Sequence, residues 1–111
     1  MKILILNWRD IKNPLSGGAE ILTHEISKRL VAKGHEVTQF CSYFDGSRKE
    51  EVLDGVRIIR EGNPDARNLL NSVQFKAYRR YKNEFEGKVD LVIDEVHGIP
   101  FFTPFYVKEK K

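Results

Sequence analysis

Two consecutive glycines, Gly17 and Gly18, stand where the sequence predicts the start of the first helix. Backbone N–H groups at a helix start have no partner within the helix, and the helix dipole adds about half a positive charge there. Glycines also lack the Cβ atoms that would keep a diphosphate or a sugar away from the backbone, and Ser16 can cap the helix or add a donor. We therefore predict an anion-binding loop. The alternative is that the glycines only make a tight turn and let the helix pack on the strand.

Two other nucleotide-binding patterns are incomplete in this sequence. The full G-x-G-x-x-G fingerprint is missing, and Cys41 and Ser42 stand where nicotinamide dinucleotide sites carry an acidic residue. Asp94 and Glu95 follow an apolar run, as in the magnesium-binding box of helicase-type ATPases, but no G-x-x-x-x-G-K-S/T loop precedes them. We therefore discount a nicotinamide-dependent oxidoreductase and a helicase-type ATPase. We expect Asp94 and Glu95 to bond loop backbone or to end a strand.

Four further side chains have a chemistry that depends on their partners. Glu20 and His24 are one helical turn apart, but two ligands without a third more simply form a solvated pair, so we predict no metal site. His97 follows the last predicted strand, at the edge where open α/β sheets bind ligands, and its imidazole can donate to a sugar hydroxyl. The alternative is that His97 caps the next segment. Cys41 has no base at a suggestive spacing and is expected to be a small buried hydrophobe.

The composition indicates a small globular domain. The chain has 111 residues, of which 41% are hydrophobic, so it forms one domain, or part of one, with a core of its own. Its lone cysteine excludes an intramolecular disulfide. The apolar start is cut short by Asn7, which argues against a signal peptide, and no run approaches the roughly 20 apolar residues that span a bilayer. We expect a cytoplasmic location.

The first half of the sequence predicts a β-α-β unit. Residues 3–6 form a continuous apolar run, which is typical of a central parallel strand. The helix that follows ends at Gly34 as a C-terminal cap, and residues 37–41 have the composition of a strand. We expect this helix to pack on the sheet through an apolar stripe formed by Ala19, Leu22, Ile26 and Leu30.

The second half adds a hairpin, a helix and a strand. Asp54-Gly55 is a hairpin-type turn before a strand at 56–59, and a four-residue apolar period predicts a helix over about 66–85. Residues 89–93 form the last strand. This order fits a three-layer, Rossmann-like α/β fold with a parallel sheet of order 3-2-1-4 and a hairpin. One face of the last strand stays incompletely covered, so we expect more chain or a partner to follow.

The predicted second helix is strongly basic. It carries five cations and no acid between residues 66 and 83, a pattern that can dock on an anionic membrane. The alternative is an ordinary solvated face. No aromatic platform or recognisable module accompanies the charge, so we predict no nucleic-acid binding. The five basic residues are Arg67, Lys76, Arg79, Arg80 and Lys82.

Several strings, taken in order, resemble the start of family 4 glycosyltransferases. The resemblance covers essentially the whole chain, and the ordered set is more specific than any one string. The strings are Asn7-Trp8-Arg9-Asp10, Pro14-Leu15-Ser16-Gly17-Gly18-Ala19-Glu20, Gly34-His35-Glu36-Val37-Thr38, Val52-Leu53-Asp54-Gly55-Val56-Arg57-Ile58, Val89-Asp90-Leu91-Val92-Ile93-Asp94-Glu95 and Ile99-Pro100-Phe101-Phe102-Thr103-Pro104.

The resemblance implies half of a GT-B enzyme built from two Rossmann-like domains. Residues 1–111 would be the acceptor-side domain, truncated, and the C-terminal domain that holds most of the nucleotide-diphosphate sugar would be absent. Transfer takes place in the cleft, with retention of anomeric configuration and usually without a metal or a permanently bound cofactor.

The resemblance also implies roles for single residues. Gly17 and Gly18 would approach the donor diphosphate, with Ser16 and Glu20 belonging to the same motif. The loop with Trp8, Arg9 and Asp10 would shape the acceptor site. In many relatives a histidine near the position of His97 contacts the transferred sugar or the acceptor.

Two functional hypotheses follow. The first is the acceptor-side domain of a retaining glycosyltransferase acting on a sugar or lipid-linked acceptor, at the cytoplasmic face of a membrane. It would be inactive alone, because the positive charge that stabilises the leaving diphosphate lies in the other domain. The second is a non-catalytic Rossmann-like module that binds or regulates another protein, since a fold alone does not decide function.

Overall fold

The computed structural model describes residues 1–7, 9–14, 17–62 and 72–95. Strands and helices alternate along these segments, which confirms the predicted α/β class. In chain order the elements are β1 (Lys2–Leu6), α1 (Gly18–Ala32), β2 (Glu36–Cys41), β3 (Glu50–Leu53), β4 (Val56–Arg60), α2 (Val73–Arg80), a π-helical turn (Tyr81–Phe85) and β5 (Leu91–Asp94).

The five strands form one sheet in the order β3-β4-β2-β1-β5. Strands β4, β2, β1 and β5 are parallel, with Ile5 of β1 opposite Gln39 of β2 and Ile93 of β5. Strand β3 pairs antiparallel with β4 at the edge, so the incoming arm of the hairpin adds one strand to the predicted parallel set. The chain leaves β1 for β2 on one side while β5 lies on the other, which places a topological switch point between β1 and β5.

Apolar side chains fill both faces of the sheet, as expected for parallel strands covered by helices. On one face, α2 and the π-helical turn pack over strand residues of β1, β2, β4 and β5. On the other face lies a second cluster, against which Leu30 and Val31 of α1 pack. The first cluster contains Leu4, Leu6, Phe40, Ile59, Val73, Ala77, Tyr81, Phe85 and Val92, and the second contains Ile3, Ile5, Val37, Cys41, Val56 and Ile58.

Two turns form as the sequence predicts. Gly34 has a φ of 95° after the last turn of α1. The Gly34 amide donates to the Val31 carbonyl and the His35 amide donates to the Leu30 carbonyl, which is the pair of hydrogen bonds of a Schellman cap. Asp54 and Gly55 have φ values of 51° and 82°, the left-handed pair of a type I′ hairpin. A Cβ on Gly55 would lie 2.7 Å from the Val31 Cγ1 atom, so the hairpin turn packs closely against α1.

The second helix is confirmed where the structure describes it. Ser72 is its N-cap, and the Ser72 hydroxyl accepts a bond of 3.1 Å from the Phe75 amide. The helix ends in the π-helical turn, where the Glu86 amide donates to the Tyr81 carbonyl at 2.8 Å. The predicted start near residue 66 lies outside the described residues.

The predicted apolar stripe of α1 is wrong. Leu22 and Ile26 are 61% and 48% exposed, Ala19 is exposed as well, and Leu30 is only partly buried. The helix instead turns four polar residues toward the protein interior. These residues are Glu20, Thr23, His24 and Ser27.

Polar partners on the sheet explain this orientation. The Thr23 hydroxyl donates to the Glu95 carboxylate at 2.9 Å, and His24 Nε2 lies 2.9 Å from the Asp54 carboxylate. Gln39 of β2, itself buried, donates to the Ser27 hydroxyl at 3.1 Å. Buried polar groups that find partners cost little, so a polar helix face can pack on this sheet.

Replacing the exposed Leu22 by alanine should therefore change the free energy of unfolding by less than about 0.5 kcal/mol. The matched control is Ile58→Ala in β4, which removes a fully buried side chain and should cost about 2–5 kcal/mol. Urea denaturation measures both. A loss above about 2 kcal/mol for Leu22→Ala would contradict this orientation of α1.

Candidate functional site

Polar side chains line up where the parallel strands end. Asn7 follows β1 and Ser42 follows β2, and both are buried, while Glu95 follows β5. The amides of Asn7 and Glu95 donate to Phe40 and Leu6 at 2.9 Å, so the sheet pairing extends into this edge. The Thr23 bond to Glu95 ties the second turn of α1 to the end of β5. The start of α1 thus lies at the switch point, where open α/β sheets bind ligands.

Gly17 and Gly18 are exposed at the start of α1. Gly17 is the N-cap in extended conformation with a φ of −137°, and neither glycine is among the residues with positive φ. A Cβ on Gly18 would meet no described atom within 4 Å, and one on Gly17 would come no closer than 3.9 Å to the Glu20 carboxylate. Within the described residues, neither turn geometry nor packing requires glycine here, in contrast to the tight-turn alternative.

Glu20 occupies part of this helix start. Its Oε2 atom accepts a bond of 2.9 Å from the Gly17 amide, which is the acidic half of a capping box. The amides of Gly18 and Ala19 open the first turn, where no acceptor exists four residues earlier in the helix. An anionic guest would therefore bind at Gly18 and Ala19 beside the Glu20 carboxylate, or displace that carboxylate from Gly17.

The loop after β1 is held by Asp10. Its Oδ2 and Oδ1 atoms lie 2.6 Å and 2.9 Å from Nε and Nη2 of Arg60, and both side chains are 0% exposed. Oδ1 also accepts from the Lys12 amide at 2.8 Å, and the Asp10 carbonyl accepts from the Asn13 amide at 3.1 Å. The carboxylate of Asp10 is thus buried and engaged, while Arg9 beside it is partly exposed.

The other end of Arg60 reaches the hairpin. Its Nη1 atom donates to Glu51 at 2.6 Å and to the Arg48 carbonyl at 2.9 Å, and the guanidinium lies 5.2 Å from the centre of the Phe44 ring. Lys12 links the two acids, since its Nζ atom lies 3.0 Å from the Glu51 carboxylate and its amide donates to Asp10. We call Asp10, Lys12, Glu51 and Arg60 the ionic ring.

The ionic ring shifts the acid–base equilibria of its members. The hydrogen bonds from Arg60, then from Lys12, hold the pKa of Glu51 below its usual range. Burial of Arg60 opposes its charged form, but the hydrogen bonds with Asp10 and Glu51 outweigh burial and raise the pKa of Arg60. Both groups therefore remain charged at neutral pH.

The structure brings some predicted site residues together and leaves others aside. Gly17, Gly18 and Glu20 lie together at the start of α1. Asp94 and Glu95 were expected to bond loop backbone or to end a strand, and β5 does end at Asp94. The Glu95 carboxylate accepts from the Thr23 hydroxyl instead of from loop backbone. The remaining predicted residues Trp8, Ser16 and His97 lie outside the described residues.

Arg60 is not among the site residues predicted from the sequence. A charged residue that directly follows the apolar pair Ile58-Ile59 is a usable signal, because a buried arginine needs an acidic partner. That signal gives no indication of which acid pairs with it, since Asp10 is 50 residues away.

Acids from other parts of the fold neutralise much of the basic surface of α2. Arg80 pairs with Glu50, Glu61 and Glu84 at 2.6–3.0 Å, and Lys82 pairs with Glu86. All four acids lie outside residues 66–83, in β3, in the segment after β4 and at the end of the helix. Lys76 is partly buried and Arg79 is exposed, and Arg67 lies outside the described residues.

Two alternative chemistries find no support. Cys41 is completely buried, and burial, followed by the charge of Asp10, raises the pKa of its thiol well above the usual value, which makes it a poor nucleophile. His24 faces Asp54, and the described segments contain no group of three residues suited to a metal ion.

No helix in the same segments is long and apolar enough to cross a membrane.

Comparison with known proteins identifies the family. The chain matches the family described as Glycosyltransferase Family 4 over residues 16–110, which is most of its length. The match includes the glycine pair and excludes the loop with Trp8, Arg9 and Asp10. Neither the curated proteins nor the solved structures give a significant match. The family match, together with the α/β sheet and the glycine-led helix at its switch point, shows that this chain belongs to glycosyltransferase family 4.

Proposed function

We propose that the chain is the acceptor-side domain of a retaining glycosyltransferase, which transfers a sugar from a nucleotide-diphosphate sugar to an acceptor. One observation carries the proposal: Gly18 begins α1 at the ligand-binding edge of the sheet, with no described atom within 4 Å of the place a Cβ would take. Because nothing in the part of the chain that the structure describes requires glycine at this position, the glycine supports a guest that approaches the backbone. Family membership supports the reaction type.

The helix start supplies part of the donor site. The Gly18 and Ala19 amides and the dipole of α1 would face the diphosphate, where negative charge builds up as the bond between the anomeric carbon and the diphosphate oxygen of the donor breaks. An exposed helix start contributes about 0.3–1 kcal/mol to anion binding, which is about a two- to fivefold gain in affinity. This small gain supports only weak donor binding by the isolated chain. We expect no sugar transfer by the isolated chain, since a second domain must supply the other contacts to the donor.

The loop after β1 supplies the acceptor side. We propose that Trp8 and the partly exposed Arg9 contact the acceptor, while the buried Asp10 acts by holding the loop. Ser16 would add a donor beside the glycines. His97 is two residues past Glu95 in the sequence, and we propose that its imidazole binds a sugar hydroxyl.

A lipid-linked acceptor at the cytoplasmic face of an anionic membrane is part of the proposal. Because Arg80 and Lys82 pair with acids, the other basic residues between 66 and 83 would provide the attraction to such a membrane. These are Arg67, Lys76 and Arg79. Each cation near an anionic surface adds about 1 kcal/mol, so three give only modest, peripheral binding.

Titration of the isotopically labelled chain with uridine diphosphate glucose and with guanosine diphosphate mannose tests the proposal. We expect weak binding, with amide chemical-shift changes confined to Gly17, Gly18, Ala19 and the loop after β1, and no sugar transfer. Shift changes elsewhere on the domain would contradict the donor site. Robust transfer by the isolated chain would contradict the division of labour between two domains.

A further inference from the structure

The ionic ring joins parts of the fold that are not neighbours. Asp10 follows β1 and Arg60 ends β4, and the whole of β2 lies between these strands in the sheet. Every nitrogen of the Arg60 guanidinium has an acceptor, with two bonds to Asp10, one to Glu51 and one to the Arg48 carbonyl. The loop after β1 is therefore fixed to both strands of the hairpin through a single side chain.

Stability alone does not account for such an arrangement. Moving two charges out of water is costly, and well-packed apolar residues of similar volume often stabilise a protein equally or better. The bidentate geometry of Arg60 on Asp10 instead defines one position and one orientation for the loop. That loop contains the turn at residues 10–13, where the Lys12 and Asn13 amides both donate to Asp10.

We propose that Arg60 is a positioning residue for the acceptor side of the site. Through Asp10 and Glu51 it holds the turn at residues 10–13 against the hairpin, and this sets the wall that an acceptor sugar meets. The assignment of the wall to an acceptor rests on the proposed function. The positioning itself does not, because it concerns only the order of the loop.

Arg60→Lys is the test variant, since it keeps the positive charge but cannot form the bidentate fork. We expect the Lys12 and Asn13 amides to exchange with solvent about ten- to hundredfold faster, as loss of charged hydrogen bonds allows local opening. This faster exchange should depend little on added urea, because local opening exposes little surface.

Arg57→Lys is the matched control. Arg57 lies on the same strand, but its ion pairs with Glu50 and Glu84 are at the surface and on the other face of the sheet. This variant should leave the exchange of Lys12 and Asn13 unchanged. A second test variant combines Arg60→Met with Asp10→Leu, which removes the buried charges, and it should fold while its loop amides still exchange fast.

Three results would overturn the proposal: unchanged exchange in Arg60→Lys, equal acceleration in Arg57→Lys, or acceleration that follows global unfolding in urea. If Arg60→Lys does not fold, the doubly apolar variant decides, and native-like protection of Asn13 in that variant also overturns the proposal. Absence of shift changes at Gly18 with both uridine diphosphate glucose and guanosine diphosphate mannose in the unmodified chain would instead refute the proposed function. The amide exchange of the Arg60→Lys variant would still test the positioning role of Arg60, because that measurement uses no nucleotide sugar.

Discussion

Arg60→Ala should lower the free energy of unfolding by about 3–5 kcal/mol, measured by urea denaturation at neutral pH. The truncation leaves the Asp10 carboxylate, which is 0% exposed, without its two hydrogen bonds and its counter-charge. It also leaves Glu51 with Lys12 as its remaining cationic partner in the ionic ring. Since small domains are stable by only about 5–15 kcal/mol, this single change should bring the chain close to unfolding.

The control for this prediction is Arg57→Ala on the same strand. The Arg57 side chain is 36% exposed and pairs with Glu50 and Glu84, which are also partly exposed. Surface ion pairs contribute about 0–1 kcal/mol, so the control should lose no more than that. Equal losses in the two variants would show that burial of the ionic ring does not set its energetic importance.

Gly18→Asp should change stability and ligand binding in opposite directions. An acid in the first turn of α1 interacts favourably with the helix dipole by about 0.3–1 kcal/mol, and any residue other than proline is a better helix former than glycine. The added carboxylate would occupy the space over Gly18, which holds no described atom, and it would repel a diphosphate. We expect a higher unfolding midpoint and at least about a tenfold weaker affinity for uridine diphosphate glucose.

Two variants separate charge from shape in that experiment. Gly18→Ala adds a methyl group without charge and should stabilise the helix while weakening binding less than Gly18→Asp. Ile26→Asp adds the same charge at an exposed position two turns along α1 and should bind as the unmodified chain does. A Gly18→Asp variant that is less stable, or that binds normally, would contradict the open helix start.

Local sequence signals predicted most of the fold because their causes are local. The apolar run of β1, the Asp54-Gly55 turn and the cap at Gly34 each depend on the conformational preferences of adjacent residues, and each appears as predicted. The predicted orientation of α1 was wrong because the residues that determine the orientation are distant in the sequence. Glu95, Asp54 and Gln39 supply the partners that let the polar side of the helix face the sheet.

The candidate site also has some features that depend on adjacent residues and others that depend on distant residues. Gly17, Gly18 and the capping carboxylate of Glu20 lie within one turn of helix, so the sequence predicts where they meet. The pairing of Asp10 with Arg60 depends on the order of strands in the sheet, which no local pattern encodes. Likewise, two of the acids that neutralise Arg80, Glu50 and Glu61, come from β3 and from the segment after β4, so the basic character of the isolated helix overstated its surface charge.

The most direct measurement compares uridine diphosphate with uridine in amide chemical-shift titrations of the unmodified chain. If the start of α1 receives the donor diphosphate, uridine diphosphate will shift the Gly18 and Ala19 amides and uridine at the same concentration will not. Equal shifts with both compounds, or none at Gly18 with either up to saturating concentrations, would contradict a diphosphate site at this helix.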